Sequence, residues 1–230
     1  MISADSTQIQ TVDYLKDLLG EEIPLPSTFQ AHIKPEAQGE LRLHNRFFNV
    51  SHLGELRTVT VQSPKISILN LLFFPDPKQQ LPAYAAEFVC LSGKPIIAVI
   101  DAKCLLSSEA AERVKAIMTQ ARSSFNGLIM PEAELPEWFE KSRSGHEIFI
   151  RPKTLSDMER VMGKHLDIWC SLVDLFKASK QYDENTEKDH LNHLNHYKKQ
   201  HCSNYPGIPL LQRCFGEEWT STYLNNYLFG

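Results

Sequence analysis

The stretch Ile66-Ser-Ile-Leu-Asn-Leu-Leu-Phe-Phe74 decides the fold of this chain. It opens with alternation and becomes almost continuously apolar at its far end. A strand with one wet face alternates, whereas a strand buried on both faces has no need to. This one therefore calls for a cover on each side of its sheet. Its neighbours are of the same kind. Leu41 to Asn49, Leu56 to Val61, Ala83 to Cys90 and Ile96 to Ile100 are short runs rich in β-branched and aromatic residues, bounded by Gly, Pro, Ser or Asn. The connections are too short for a crossover helix, so successive strands pair antiparallel, as a meander.

Helical patterns flank these strands. Thr11 to Leu19 reads as a helix, followed by a Pro-rich passage through Pro24, Pro26 and Pro35. Ser107 and Ser108 precede a helix from Glu109 to Ala121, with Val114, Ile117 and Met118 as its apolar residues. Pro136 opens a short helix through Trp138 and Phe139, and His146 to Ile150 is one more strand. Ser156 is the expected cap of a long amphipathic helix in which Met158, Val161, Met162, Leu166, Trp169, Leu172, Val173 and Phe176 recur at helical spacing. Asp183 to Asp189 reads as a charged loop. The rest is helical, broken around Ser203 to Pro209, and closes in an aromatic-rich segment from Trp219 to Phe229. An antiparallel sheet with helices from both ends of the chain implies a layered α+β fold, and 230 residues suit one domain, 1–230.

Apolar residues make up 42%, charged residues 23%, and the net charge is −4, which is ordinary globular composition without the basic footprint of a nucleic-acid binder. No apolar run reaches the length of a membrane span. Met1 to Gly20 is polar and acidic, unlike a secretory or organelle-targeting leader, so the cytoplasm is the expected compartment, or a plastid if the source is a photosynthetic eukaryote. Cys90, Cys104, Cys170, Cys202 and Cys214 are widely and irregularly spaced, with no CxxC pair for a cluster or zinc, and read as reduced thiols. There is no GxGxxG after a strand and no P-loop motif.

Several residues can carry chemistry. Asp101 follows the apolar Ile96-Ile-Ala-Val-Ile100. It is either a solvated residue starting the turn into Ala102-Lys103 or a partly desolvated carboxyl, whose raised pKa would make a general acid near neutrality. Arg151 ends an apolar strand and suits bidentate carboxylate binding or a plain surface position. Lys198 and Lys199 lie near the Cys202 to Pro206 loop, on a face that also reads as solvated. His190, His193 and His196 recur every three residues, followed by His201, but no carboxylate or Cys is arranged with them, so a solvated helix face is the expectation rather than a metal site.

Three ordered pieces resemble the ferredoxin-dependent bilin reductases. The first is Ile68-Leu-Asn-Leu-Leu-Phe-Phe-Pro-Asp-Pro77 with Leu81-Pro82, Ala86-Glu-Phe-Val89 and Ile97-Ala-Val-Ile-Asp101. The second is Ile148-Phe-Ile-Arg-Pro152. The third is Leu210-Leu-Gln-Arg-Cys-Phe-Gly-Glu-Glu-Trp219 with Tyr223 and Tyr227-Leu-Phe229. The resemblance implies a three-layer α/β/α sandwich with a bilin between the sheet and the C-terminal helices. It implies no bound flavin, nicotinamide or metal; electrons come singly from reduced ferredoxin, and the protein supplies protons. Heme oxygenase would be the upstream supplier of biliverdin, and a monomer is the family expectation.

Carried onto this sequence, the resemblance puts the central proton donor at Asp101. A second aspartate of several members falls on Tyr205, with Asn204 beside it, so no acid is present there and Asn204 takes the place. The phycocyanobilin-forming pattern falls near Thr60 and near His44 or Asn45, without its His and Glu, while Asn70 matches the phycoerythrobilin-forming and phytochromobilin-forming branches better. Asn70, Thr60, Arg151 and Lys198 are the expected substrate contacts. The expected reaction is reduction of biliverdin or 15,16-dihydrobiliverdin to phycoerythrobilin. The rivals are a stop at 15,16-dihydrobiliverdin, phycocyanobilin formation, a bilin-binding protein without turnover, and an unrelated interaction module. A docking face for acidic ferredoxin should be basic, with candidates Arg42, Arg46, Arg57 and Lys65, or Lys153 and Arg151.

Overall fold

The computed structural model describes residues 21–36, 39–50, 52–131, 134–140, 142–177 and 183–230. The expected helix from Thr11 to Leu19 and the side chain of Phe176 lie outside what it describes. The strands are β1 (Glu21–Ile23), β2 (Ala31–Glu36), β3 (Gly39–Val50), β4 (Gly54–Gln62), β5 (Ile66–Pro75), β6 (Ala83–Leu91), β7 (Lys94–Lys103) and β8 (Ile148–Ile150). They form one antiparallel sheet in the order β1-β3-β4-β5-β6-β7-β8, with β2 also paired to β3. The helices are α1 (Ser27–Gln30), α2 (Glu109–Ser123), α3 (Glu137–Glu140), α4 (Leu155–Lys177), α5 (Glu184–Ser203), α6 (Ile208–Phe215) and α7 (Glu217–Tyr223), followed by a π-helical turn, Leu224–Leu228.

β5 has the two covers that its composition demands. Leu69, Leu71 and Phe73 pack with Val114 and Met118 of α2 and with Val161, Trp169 and Leu172 of α4. Leu72 and Phe74, pointing the other way, pack with Leu194 of α5, Leu211 of α6, and Tyr223, Tyr227 and Leu228. The result is an α+β sandwich of three layers with the sheet in the middle. Side-chain period 2 then fixes which residues share a face. Arg57, Leu72, Ala85 and Asp101 form one row across β4 to β7, and Val59, Asn70, Glu87, Val99 and Phe149 form the next. Both rows lie on the face that bears the C-terminal helices, with Val99 and Phe149 packed against Met130 and Phe139.

Local chemistry moves three boundaries. Thr154, not Ser156, caps α4: its Oγ1 accepts the Asp157 N–H at 3.1 Å, while the Asp157 carboxylate accepts the Thr154 N–H at 3.0 Å. This reciprocal pair is a capping box with an Asp in place of Glu. The run Asp183 to Asp189 is the start of α5 rather than a loop. Asp183 accepts the Thr186 N–H at 2.9 Å, and Glu184 and Glu187 sit in the positive first turn. The Pro-rich passage holds β1, α1 and β2; Pro35 is tolerated because β2 bonds only to β3 and is otherwise an edge. Among the described residues no helix is long and apolar enough to cross a membrane.

Candidate functional site

Asp101 lies near the end of β7, buried, 4% exposed, on the face that looks toward α5. Its Oδ2 accepts the backbone N–H of Ser144 at 3.0 Å, while Oδ1 has no partner among the described residues. Ser144 is presented by a loop tied down at Glu147. That carboxylate is buried and accepts the Gly145 N–H at 2.8 Å and Arg143 Nη1 at 3.2 Å. Burial pushes the Asp101 carboxyl up to about 7; the Ser144 bond pulls the other way, the Glu147 charge adds to the rise, and Lys103 opposes it. The desolvated alternative thus describes Asp101, not the solvated turn.

The same face carries a cleft of about 520 Å³, its solvent mouth included. Its floor is Asn70, Leu72, Ala85, Glu87 and Val99, from β5, β6 and β7. Trp138 and Phe139 of α3 form one wall; His201 at the end of α5, Asn204, Tyr205, Pro206 and Phe229 form the roof. Asn70 is buried, and its amide nitrogen reaches the Tyr205 hydroxyl at 3.5 Å. Asn204 ends α5, with its side-chain amide donating to the Gln200 carbonyl at 2.8 Å. Burial lowers His201 to about 4, so its ring is neutral, and its Nε2 has no partner among the described residues. Sequence reasoning placed His201 on a solvated face with His190. His193 and His196 are exposed, but His190 is buried against the Pro77 carbonyl, so that helix divides its histidines between core and solvent.

Glu87 is the residue that sequence reasoning missed. It sits on the cleft floor, partly buried, and burial pushes its carboxyl up to about 7. The signal was legible: in Ala83 to Cys90 an acid occupies an inward-facing position among Ala83, Ala85 and Val89.

Asn70 and Asn204 line the cleft, and Asp101, on the same sheet face, is the ladder partner of the floor residue Ala85 without itself being in the lining; the other expected contacts lie elsewhere. Thr60 pairs with Leu69, which faces α2 and α4, so the sheet separates its side chain from the cleft. The single-residue shift from Val59 reverses its face. Lys198 donates to the Gly230 carbonyl at 2.8 Å, lies over the Phe74 ring at 4.5 Å and is not in the cleft lining. Arg151 lies just past β8, 65% exposed in its side chain, 3.5 Å from the Glu134 carboxylate. Of the docking candidates, Arg57 is buried, bonded to the carbonyls of Tyr227 and Gly230 and to Glu55, and Arg46 pairs with Glu22 at 3.0 Å. Neither is a free surface cation. Among the described residues no three His, Cys, Asp or Glu side chains gather to hold a metal ion.

The arrangement therefore offers a carboxyl, two side-chain amides and a neutral imidazole around an apolar cleft, with the Asp101 carboxyl beside its floor on the same sheet face, both acids pushed up to about 7 by burial. Such a site suits a large conjugated ligand that takes up protons. The family model described as ferredoxin-dependent bilin reductase matches residues 10–230. A phycocyanobilin:ferredoxin oxidoreductase of Trichodesmium erythraeum is 26% identical over 203 residues, covering 86% of this chain and 80% of that protein. A phycoerythrobilin:ferredoxin oxidoreductase of Prochlorococcus marinus is 24% identical over 224 residues, covering 92% and 87%. The crystal structure of tomato phytochromobilin synthase in complex with biliverdin superposes with a TM-score of 0.80 at 16% identity, over 99% of this chain and 83% of that one.

Proposed function

The chain belongs to the ferredoxin-dependent bilin reductase family, and on that premise we propose that it reduces biliverdin or 15,16-dihydrobiliverdin in the cleft under α5, with Asp101 as proton donor. The observation that carries this reading is a buried carboxyl with one oxygen held by Ser144 and the other unpartnered, on the sheet face that bears the cleft. Reduced ferredoxin delivers the electrons one at a time, and the protein contributes protons and an enclosure that keeps solvent from a radical. Asn70 and Asn204 offer hydrogen bonds to lactam and pyrrole groups. Arg151 stands outside the cleft lining and is assigned to a propionate at the rim. The reading takes the chain as a single monomeric domain supplied with biliverdin by a heme oxygenase.

Phycoerythrobilin is the product we assign, and Asn70 on the cleft floor is its support, an amide that matches the phycoerythrobilin-forming and phytochromobilin-forming branches better than the phycocyanobilin-forming one. A stop at 15,16-dihydrobiliverdin is the second reading, favoured by Asn204 and Tyr205, neither of which can stand in for a second carboxylic acid. Anaerobic mixing of the protein with biliverdin, followed by reduced ferredoxin and chromatography of the products, tests both. Ferredoxin-dependent loss of the biliverdin band is the expected result, and the product decides the branch. A stable complex that reacts with neither biliverdin nor the dihydro compound would make the protein a bilin carrier instead.

A further inference from the structure

A second buried acid stands beside Asp101, outside the cleft. β8 pairs with β7 through Ile148 and Ile100, and the register extended by one residue sets Glu147 opposite Asp101. Directly opposed like charges in a sheet repel. The surroundings divide the two acids. Glu147 is 1% exposed and its carboxylate accepts the Gly145 N–H at 2.8 Å and Arg143 Nη1 at 3.2 Å, with Arg122 Nη1 of α2 at 3.8 Å. Asp101 is bonded only to Ser144 among the described residues. The two acids share one loop: Ser144 holds Asp101, and the next residue, Gly145, is held by Glu147. A staple for that loop needs no charge, because a neutral amide would accept the Gly145 N–H as well. A buried ion pair is also weak evidence of a gain in stability.

We propose that Glu147 is a positioning residue for Asp101, its fixed negative charge keeping the proton on the donor until the bilin takes it, while its loop aims the carboxyl. The inference rests on the reading of Asp101 as the donor. Burial is the larger cause of the raised Asp101 acid, and the Glu147 charge adds to it. The other titratable groups around Asp101 are Lys103 and Cys104 beyond it in the chain, Tyr84 and, diagonally, Glu87 on β6, Tyr197 on α5, and His146 on the loop. Of these Lys103 brings a positive charge, which opposes the rise, and its ammonium donates to the Ser142 carbonyl at 2.9 Å. Glu147 thus offsets the cations of this corner, which would otherwise draw the proton off Asp101.

The test compares wild type, Glu147→Gln and Arg143→Gln in ferredoxin-dependent turnover of biliverdin across pH. Infrared titration follows Asp101 directly, through the carboxylic-acid band that Asp101→Asn removes. Glu147→Gln keeps an acceptor for Gly145 and should bind biliverdin as wild type does. It removes the negative charge and leaves two guanidiniums uncompensated, so Asp101 releases its proton at lower pH. The titration and the alkaline limb of turnover should both move down by about one unit, about tenfold in rate above the limb. Arg143→Gln leaves Glu147 with one cation fewer and should move both up. With Asp101→Asn already present, Glu147→Gln should lower the residual turnover no further. Titrations that stay put or move in the same direction in the two variants would overturn the proposal. So would a pH-independent loss of rate that is equal with and without Asp101, the mark of a merely structural loop. If Glu147→Gln fails to fold, the upward shift in Arg143→Gln decides alone. Unchanged turnover in Asp101→Asn by itself would overturn the donor reading, and this proposal with it.

Discussion

Ser144 donates its backbone N–H to Asp101 Oδ2 at 3.0 Å and leaves Oδ1 turned toward no described partner. The bond fixes the carboxyl without neutralising it, since burial outweighs it and the acid keeps its proton to about pH 7. Asp101→Asn preserves the acceptor for Ser144 and the volume of the side chain but cannot release a proton. The variant should form the biliverdin complex with unchanged affinity and lose about 100-fold or more in ferredoxin-dependent turnover. Spectral titration and single-turnover kinetics measure the two separately. Unchanged turnover would remove Asp101 from the mechanism.

The same two carboxyls make a stability prediction with a definite sign. Asp101 is raised from 3.8 and Glu87 from 4.5, each to about 7. Between those limits the folded state holds protons that the unfolded chain has released, so their contribution is fully present below about pH 4 and is lost as pH rises to 7. Each pH unit in that window costs about 1.4 kcal/mol per group, an upper bound of about 4 kcal/mol for Asp101. His165, lowered to about 3, acts in the opposite sense and destabilises the fold as pH falls below 6.5. The wild-type curve is therefore a near-cancellation. Asp101→Asn removes one side of it: its stability relative to wild type should climb between pH 4 and pH 7, as read from urea midpoints. A pH-independent difference would mean that the carboxyl is not desolvated.

A backbone position makes the third. Gly54 opens β4 at φ +148, and a Cβ there would lie 2.2 Å from the Phe74 carbonyl oxygen and 2.8 Å from Pro75 Cα. Both obstacles are main chain in β5, so relief requires the β4–β5 ladder to part. Gly54→Ala should cost about 3 kcal/mol or more, from strain added to lost pairing. Gly93, at φ +74 in the β6–β7 turn, meets nothing within 4 Å, and Gly93→Ala should cost about 1–2 kcal/mol, the left-handed penalty alone. Denaturant midpoints that fail to separate the two variants would refute the steric argument.

The middle of the sheet was legible because β5 carries its own requirement for two covers, and strands from Leu41 to Ile100 alternate against it. Its rim was not. Pro24, Pro26 and Pro35 masked two edge strands, whose pairing with β3 depends on a distant segment and not on local pattern. The motif pieces that gave Asn70 and Asp101 lie on the sheet face of the cleft, Asn70 in its floor and Asp101 beside it. Thr60 failed by parity, because counting a strand position without fixing its face leaves a one-residue ambiguity that exchanges the layers. Lys198 failed because its partner, Gly230, is 32 residues away and no local signal announces the contact. Glu87 is visible in the sequence as an acid on the strand face that it shares with Ala83, Ala85 and Val89, but both faces of β6 are covered, so alternation alone does not mark it as a cleft residue.

The layer opposite the cleft contains a polar pair in its core, and the last prediction concerns it. Tyr84 and His165 are both buried, and the Tyr84 hydroxyl is hydrogen-bonded to His165 Nδ1. The rings stack at 5.6 Å, and Trp169 packs on Tyr84 at 5.2 Å. His165 Nε2 has no partner among the described residues, so this one bond is what satisfies the ring. Tyr84→Phe leaves both ring nitrogens without it, and an unsatisfied buried group costs about 1–3 kcal/mol. His165→Phe alone strands the Tyr84 hydroxyl at a similar cost. The double variant, with both partners apolar, should be closer to wild type than the sum of the two single losses. A double-mutant cycle from urea denaturation should therefore give a coupling of about 1 kcal/mol or more, and additive losses would show that the bond contributes nothing to the fold. Turnover should survive in all three folded variants, because the sheet lies between this pair and the cleft.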